Sequence, residues 1–436
     1  MIELTLRRVI TVYTPLALSW LLMAAESPVA VSILSRGAEP KLHTAALLAL
    51  MAICLMLESP VIDLLTTSTA LGSDAQRLSV LSRFTLLMMG LCTAAHLLLV
   101  ATPAYGWLMD VMQLPQALRD ILLPALVIML PWSAAIGWRR YRQGIMIRNG
   151  LTRAISLGTG LRLLTIASVG FGLASLTKLP GIQVAAAAIV SSVVVEALFV
   201  HFASKSAVEI QTSAPADERP LDLRAVLKFH TPLTGATFVQ LASISLISAA
   251  LARTHDSILQ MAAWQVCSSI AWSFRTMTFA LPEVIISLGT NRQAATLLRR
   301  FCLNLGLVLS ALQLGFAISG LDRWVFERVL HTSPDTALVA HYALLAMALI
   351  PVISAATSYV RGRLTSAHVT LARLWSIGAS TVVLQASLML LVTMGYPGWV
   401  VGSVSVYTSI LTDFLVQAVF WLRSEHREIS EPLALQ

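Results

Sequence analysis

Long apolar stretches, separated by short polar ones, run the whole length of this chain. They fall at roughly 9–34, 44–71, 84–102, 121–138, 154–176 and 182–203, then resume at roughly 229–252, 257–288, 302–320, 337–359, 374–395 and 399–422. Each is close to the ~20 apolar residues that an α-helix needs to cross a hydrocarbon layer. The pattern therefore predicts about twelve transmembrane helices. Between the sixth and seventh lies the one linker-like stretch, Lys205 to about Arg224, with Ser213-Ala-Pro-Ala-Asp-Glu-Arg-Pro220 at its centre. The predicted organisation is a six-helix bundle over 1–204, a cytoplasmic linker at 205–220 and a second bundle over 221–436.

The polar punctuation repeats. Leu4-Thr-Leu-Arg-Arg-Val-Ile-Thr-Val-Tyr-Thr-Pro-Leu16 lies over Leu221-Asp-Leu-Arg-Ala-Val-Leu-Lys-Phe-His-Thr-Pro-Leu233 at an offset of 217, with seven of thirteen positions identical. The register returns at Gly72/Gly289, Gln76/Gln293, Arg83/Arg300, Phe84/Phe301 and Pro180-Gly181/Pro397-Gly398, and at an offset of 220 at Ser156/Ser376 and Gly158/Gly378. Shared apolar composition does not align Thr-Pro, Gly, Gln and Arg in one register, so the chain is a tandem duplication. Six spans per copy give both copies the same orientation, which implies a parallel pseudo-two-fold repeat about an axis along the membrane normal.

Composition agrees and excludes other classes. Of 436 residues, 57% are hydrophobic and only 12% charged, about half the charged share of a soluble domain. Mean hydropathy is +0.78. The net charge of +8 reflects loops rather than nucleic-acid binding. Of 30 Lys and Arg, 21 fall in segments on the side of the N-terminus, 7 on the other side and 2 within spans. Cytoplasmic loops collect Lys and Arg, so both termini are expected in the cytoplasm, in a plasma (inner) membrane. Cys54, Cys92, Cys267 and Cys302 lie inside apolar stretches without metal-type spacing and read as core residues. No Walker A, Gly-x-Ser-x-Gly or His-Glu-x-x-His motif is present, so no ATP-driven or enzymatic chemistry and no cofactor is expected.

Charges inside the spans carry the candidate chemistry, because each costs several kcal/mol unless it faces a cavity or a partner. They are Glu26, Glu58, Asp63, Arg162, Glu196, Arg275, Glu283 and Asp413. Glu58 and Arg275 occupy the same repeat position with opposite sign. They read either as a substrate or ion site or as a static ion pair between the halves. Glu-Ser-Pro occurs at Glu26-Ser27-Pro28 and at Glu58-Ser59-Pro60. Each proline frees a backbone carbonyl four residues back. A carboxylate beside a freed carbonyl suits H⁺ or Na⁺, unless the serine takes that carbonyl instead. Glu196 and Asp413 match at 217 and read as symmetric acids bonding a neighbouring helix. Glu26, Glu58, Arg275, Arg162 and Asp63 are the expected substrate or coupling-ion residues, with a possible Na⁺ near Glu26 or Glu58. His230 reads as a core or interface histidine.

Two six-helix halves in this orientation resemble the multidrug and toxic compound extrusion (MATE) superfamily. Leu130-Pro131 with Trp138 seven residues after the proline, and Pro397-Gly398 running to an acid at Asp413, resemble the progressive ankylosis family within it. The resemblance implies an all-α, MATE-like exporter working by alternating access, in that family for small anions such as pyrophosphate, citrate or nucleotide. Arg162 and Arg275 would suit an anion, whereas the six acids among the eight span charges suit a cation. The expected function is a secondary transporter exporting a small charged or amphipathic solute, coupled to H⁺ or Na⁺. A flippase for a lipid-linked precursor and a small-anion exporter are the alternatives. The expected partners are membrane lipid and a small-molecule or ion substrate, with no nucleic acid, and the chain is expected to be a monomer.

Overall fold

The computed structural model describes residues 4–215, 221–289, 292–367, 369 and 371–430. Every regular element among them is helical. The first copy runs α1 Leu6–Ala24, α2 Glu26–Leu34, α3 Pro40–Ile62, α4 Leu64–Leu71 and α5 Ala75–Ala101. It continues with α6 Ala104–Met112, α7 Gln116–Ile128, α8 Trp132–Arg148, α9 Thr152–Leu176 and α10 Gly181–Ala203. The expected linker opens as a short helix, α11 Lys205–Thr212, while 216–220 lie outside the described residues. The second copy comprises α12 Leu223–Leu251, α13 Ser257–Thr276, α14 Leu281–Leu288, α15 Arg292–Ile318 and α16 Leu321–Trp324. It ends with α17 Pro334–Ala346, α18 Ile350–Ser366, α19 Leu371–Thr393 and α20 Gly398–Ser430.

Nine helices among the described residues are long and apolar enough to cross a membrane. Two bent pairs, α7 with α8 at 46° and α17 with α18 at 44°, would bring the number to eleven. The remaining expected crossing, 257–288, is helical but broken. After α13 it passes through a 3-10 turn at Met277–Ala280 before α14. Gln260, Gln265, Ser268, Ser269, Ser273 and Arg275 dilute its apolar run. The second span of the first copy breaks at the equivalent place, between α3 and α4 at Asp63.

The chain packs as two units that do not follow chain order. One consists of 29–265 with 330–333; the other of 1–28, 266–329 and 334–436. Within the first unit, α12 from the second copy lies against α3. His230 of α12 sits edge-on to Phe84 with ring centroids 5.0 Å apart. Within the second unit, α1 from the first copy packs on the 3-10 turn and α14. There Val9, Tyr13 and Ala17 enter a core with Leu281, Val284, Ile285, Leu298 and Ala355. Tyr13 meets Phe301 edge-on at 5.4 Å. Each copy's first helix is thus built into the unit that holds the rest of the other copy.

Glycines mark the same close approaches in both units. A Cβ on Gly144 of α8 would overlap the Ser68 hydroxyl of α4, and one on Gly362 of α18 would lie 2.8 Å from the Ile285 Cβ of α14. In the approach of the fifth helix to the eighth, Gly137 leaves room for Met89. In the second copy the roles reverse, and Gly306 leaves room for Ala355.

Candidate functional site

The bend between α7 and α8 follows from Pro131, which cannot donate to the helical ladder. Beyond it α8 runs unbroken to Arg148 and carries Arg139, Arg140, Arg142 and Gln143 along a span rather than a loop. From sequence these arginines are expected on the cytoplasmic side, so the charge count needs correction. The same holds for Arg361, which lies within α18. Without Arg139, Arg140, Arg142 and Arg361, the tally is 17 Lys and Arg on the side of the N-terminus against 7 on the other.

Glu196 of α10 is fully buried and is the hub of a polar cluster in the first unit. Its Oε2 lies 2.6 Å from the Arg139 guanidinium and 3.6 Å from that of Arg162 on α9. Gln143, one turn after Arg139, donates to Oε1 at 3.2 Å. The spacing of four residues puts Arg139 and Gln143 on one face of α8, so both reach the same carboxylate. Gly144 lets α8 approach α4 closely beside that face.

Glu58 on α3 belongs to the same electrostatic neighbourhood. Its carboxylate is buried and lies within the fields of Arg139, Arg140 and Arg162. Its Oε2 has no hydrogen-bond partner among the described residues. The carbonyl that Pro60 frees, that of Met56, accepts from Ser59 Oγ at 2.9 Å. The serine thus supplies a donor to the carbonyl that the proline frees. Arg140 forms no ion pair with a carboxylate among the described residues, although it sits half-buried in the span.

The second unit holds a sparser version. Asp413 of α20 accepts from Arg361 at 3.2 Å and from Gln417 at 2.7 Å. Arg361 and Gln143 stand at equivalent places, since Gly362 and Gly144 follow them and make equivalent close approaches. The symmetric acids Glu196 and Asp413 each tie down a neighbouring helix, yet only Glu196 is buried among several arginines. Arg275 lies in the last turn of α13, where its charge complements the helix dipole. It donates to Ser354 Oγ at 3.2 Å and lies 5.6 Å from the Phe279 ring centroid. No carboxylate lies within ion-pair distance of it among the described residues. Glu26 opens α2 immediately after the break at Ala25, where an acid suits a helix N-terminus. Asp63 stands at the α3–α4 break. Glu58 and Arg275, which share a repeat position, fall in different units.

Sequence reasoning does not single out Arg139, Arg140, Gln143 and Arg361. The available signal is the pair of symmetric acids, since a carboxylate inside a span needs a basic partner on a neighbouring helix. The four cysteines are free and buried. Among the described residues no group of three His, Cys, Asp or Glu could hold a metal ion.

Solved structures share the fold over nearly the whole chain. An inward-facing multidrug resistance MATE family transporter of the MOP superfamily superposes with a TM-score of 0.69 at 13% identity, over 92% of this chain and 96% of its own. The lipid II flippase MurJ, in an inward closed conformation, gives 0.70 at 13% identity, covering 97% of this chain and 94% of its own. The chain has the MATE/MOP fold. A MOP superfamily transporter from Pyrococcus furiosus, described as having a binding pocket of reverse polarity, gives 0.56 at 13% identity over 99% of this chain and all of its own. No family model and no curated protein sequence matches the chain. With the apolar helices, the MATE/MOP fold makes this a multi-pass membrane protein. Within that fold, Glu196, Arg139 and Arg162 form a buried cluster in one unit and Arg361 and Asp413 a smaller group in the other.

Proposed function

We propose that the chain is a secondary transporter of the inner (plasma) membrane that carries a negatively charged solute outward by alternating access, with both termini in the cytoplasm. One observation supports this reading above all. Arg140 and Arg275 lie inside helices of the membrane region with no carboxylate at ion-pair distance among the described residues; Glu196 and Glu58 reach Arg140, and Asp413 reaches Arg275, only through their fields. A guanidinium in that position is stable only with water or an anion beside it. Adding Arg139, Arg140, Arg142 and Arg361 to Arg162 and Arg275 gives six in-span arginines beside the six acids, so the excess of acids that favoured a cation disappears. The resemblance to the progressive ankylosis family points to the same cargo class, a phosphate- or carboxylate-bearing small molecule.

A flippase for a lipid-linked precursor is the second reading, favoured by the likeness to a protein described as a lipid II flippase. The deciding experiment is uptake into proteoliposomes of pyrophosphate, citrate, nucleotides and organic cations, with and without H⁺ and Na⁺ gradients. At least one anion is expected to be carried. Arg140→Gln and Arg275→Gln are each expected to slow its uptake by about tenfold, the equivalent of ~1.4 kcal/mol, at unchanged folding. Uptake of organic cations alone, or wild-type rates in both variants, would sink the anion reading. Gradient-independent activity confined to lipid would favour the flippase.

A further inference from the structure

Tyr13 and His230 stand at the same repeat position and make the same bond. Tyr13 Oη donates to the Met277 carbonyl at 3.1 Å, and His230 Nε2 lies 2.7 Å from the Pro60 carbonyl. Met277 and Pro60 are themselves 217 residues apart, as are Phe301 and Phe84, whose rings these two side chains meet edge-on. In both units an aromatic side chain on the exchanged helix supplies a donor to a carbonyl at the break of the second span.

The copies differ in what surrounds that bond. His230 Nδ1 lies 2.8 Å from Thr67 Oγ1, and the field of Asp63 reaches the ring. In the other copy the places of Thr67 and Asp63 are held by Val284 and Ala280, both buried in the apolar core. Three positions that are tyrosine, valine and alanine in one copy are thus histidine, threonine and aspartate in the other, gathered at one helix break. A bond that needs only a tyrosine does not require the two added polar groups. Furthermore, Asp63 Oδ2 is buried without a hydrogen-bond partner among the described residues.

The geometry admits a proton without disturbing a heavy atom. Because a carbonyl can only accept, Nε2 carries hydrogen in every state. In the neutral ring Nδ1 accepts from the Thr67 hydroxyl. When a proton adds to Nδ1, that nitrogen donates and the hydroxyl turns its own hydrogen away. The Asp63 carbonyl, one turn earlier, already receives the Thr67 N–H and has a second lone pair for that hydrogen. The balance is one N–H bond formed and one proton taken from water, and the ring keeps both of its hydrogen-bond partners. The ring itself is buried, whereas Asp63 is part-exposed. Among the elements packed on α12 at this point, the α3–α4 break presents Asp63, α4 presents Thr67 and α5 presents Phe84. Asp63 is the charged group among the described residues whose field reaches the ring.

We propose that His230, with Thr67 and Asp63, is a proton-binding site at the α3–α4 break, filled and emptied while α12 stays docked. The proton's role as coupling ion rests on the transporter reading; the site itself does not.

The test uses the full-length protein in phosphatidylcholine nanodiscs without cargo. Hydrogen exchange of the backbone at 56–75 is followed between about pH 5 and 8, corrected for the intrinsic pH dependence of exchange. Wild-type protection is expected to change with a one-proton midpoint. His230→Tyr, which copies the Tyr13 arrangement, is expected to give a flat profile, and Asp63→Asn a midpoint at lower pH because imidazolium loses its counter-charge. Should His230→Tyr not fold, as judged by protection over 277–288, His230→Gln takes its place. A flat wild-type profile, or a variant at position 230 that keeps the wild-type midpoint, overturns the proposal. Since no cargo is present, failure to find a transported anion leaves this result unaffected.

Discussion

The guanidinium of Arg139 lies 2.6 Å from the carboxylate of Glu196, and the two side chains are 5% and 0% exposed. Such a pair adds little net stability, because desolvation offsets most of the attraction, but breaking it strands a buried charge. Glu196→Gln removes the counter-charge of Arg139 and weakens that of Arg162. The expected loss is about 3–5 kcal/mol, read as a lowered midpoint in thermal unfolding of the purified protein. Asp413→Asn is expected to cost nearer ~1 kcal/mol, since its pair with Arg361 is part-exposed and Gln417 remains as a partner. Equal losses in the two variants would contradict the contrast drawn between the clusters.

Glycine substitutions test the helix approaches. Gly144→Ala and Gly362→Ala place a methyl group onto Ser68 and Ile285 respectively, and each is expected to destabilise by roughly 1–3 kcal/mol. At Gly160, in α9, an added methyl group would meet nothing within 4 Å. Gly160→Ala is therefore expected to be neutral or to stabilise by up to ~1 kcal/mol through helix propensity. The measurement is again the unfolding midpoint, with the three variants compared in one detergent.

Ser59 supplies the hydrogen bond that Pro60 takes away from the Met56 carbonyl. Ser59→Ala leaves that oxygen unpaired in a buried setting and is expected to cost ~1–2 kcal/mol. Ser175 bonds the Phe171 carbonyl in the same way, but on an exposed face where no proline intervenes. Ser175→Ala is expected to stay within about 0.5 kcal/mol of wild type. A neutral Ser59→Ala would mean that the freed carbonyl does not need the serine as its donor.

Tyr13→Phe keeps the ring against Phe301 and deletes only the bond to the Met277 carbonyl. Loss of about 1–2 kcal/mol is expected, with a rise in hydrogen exchange centred on 277–281. Exchange that rises evenly over the whole chain would mean that the bond does not act locally at the break.

The spans and the duplication are legible in the chain because both are local signals. An apolar run either reaches the length of a crossing or it does not, and Thr-Pro, Gly and Arg either recur in register or do not. The exchange of α1 and α12 is not legible, since it depends on which helices meet in space. Arg139 and Arg140 are hard to place for a related reason. Arginine next to a hydrophobic run ordinarily ends it, and only the partner on α10 shows that α8 continues. The count of crossings suffers in the same way, because the polar residues of α13 lower its hydropathy without ending its helix. Glu58 and Arg275 share a repeat position, but a shared position does not make two side chains neighbours, and the groups around each belong to its own unit. Asp63 stands out in the sequence for its charge alone. His230 reads there as an ordinary core histidine because its partners lie 163 and 170 residues away in the chain.

The exchange of first helices has a consequence for biogenesis. During synthesis α1 is made before any part of the unit that receives it, and the α3–α4 break waits for α12 to bring His230 to its carbonyl. Neither unit can be completed from one copy of the repeat. When the first six spans are finished, residues 266–364, against which α1 packs within its unit, have not yet been made. The duplicated halves are therefore bound to each other by assembly order, and a polypeptide cut in the 205–220 linker would yield two pieces that mature only in each other's company.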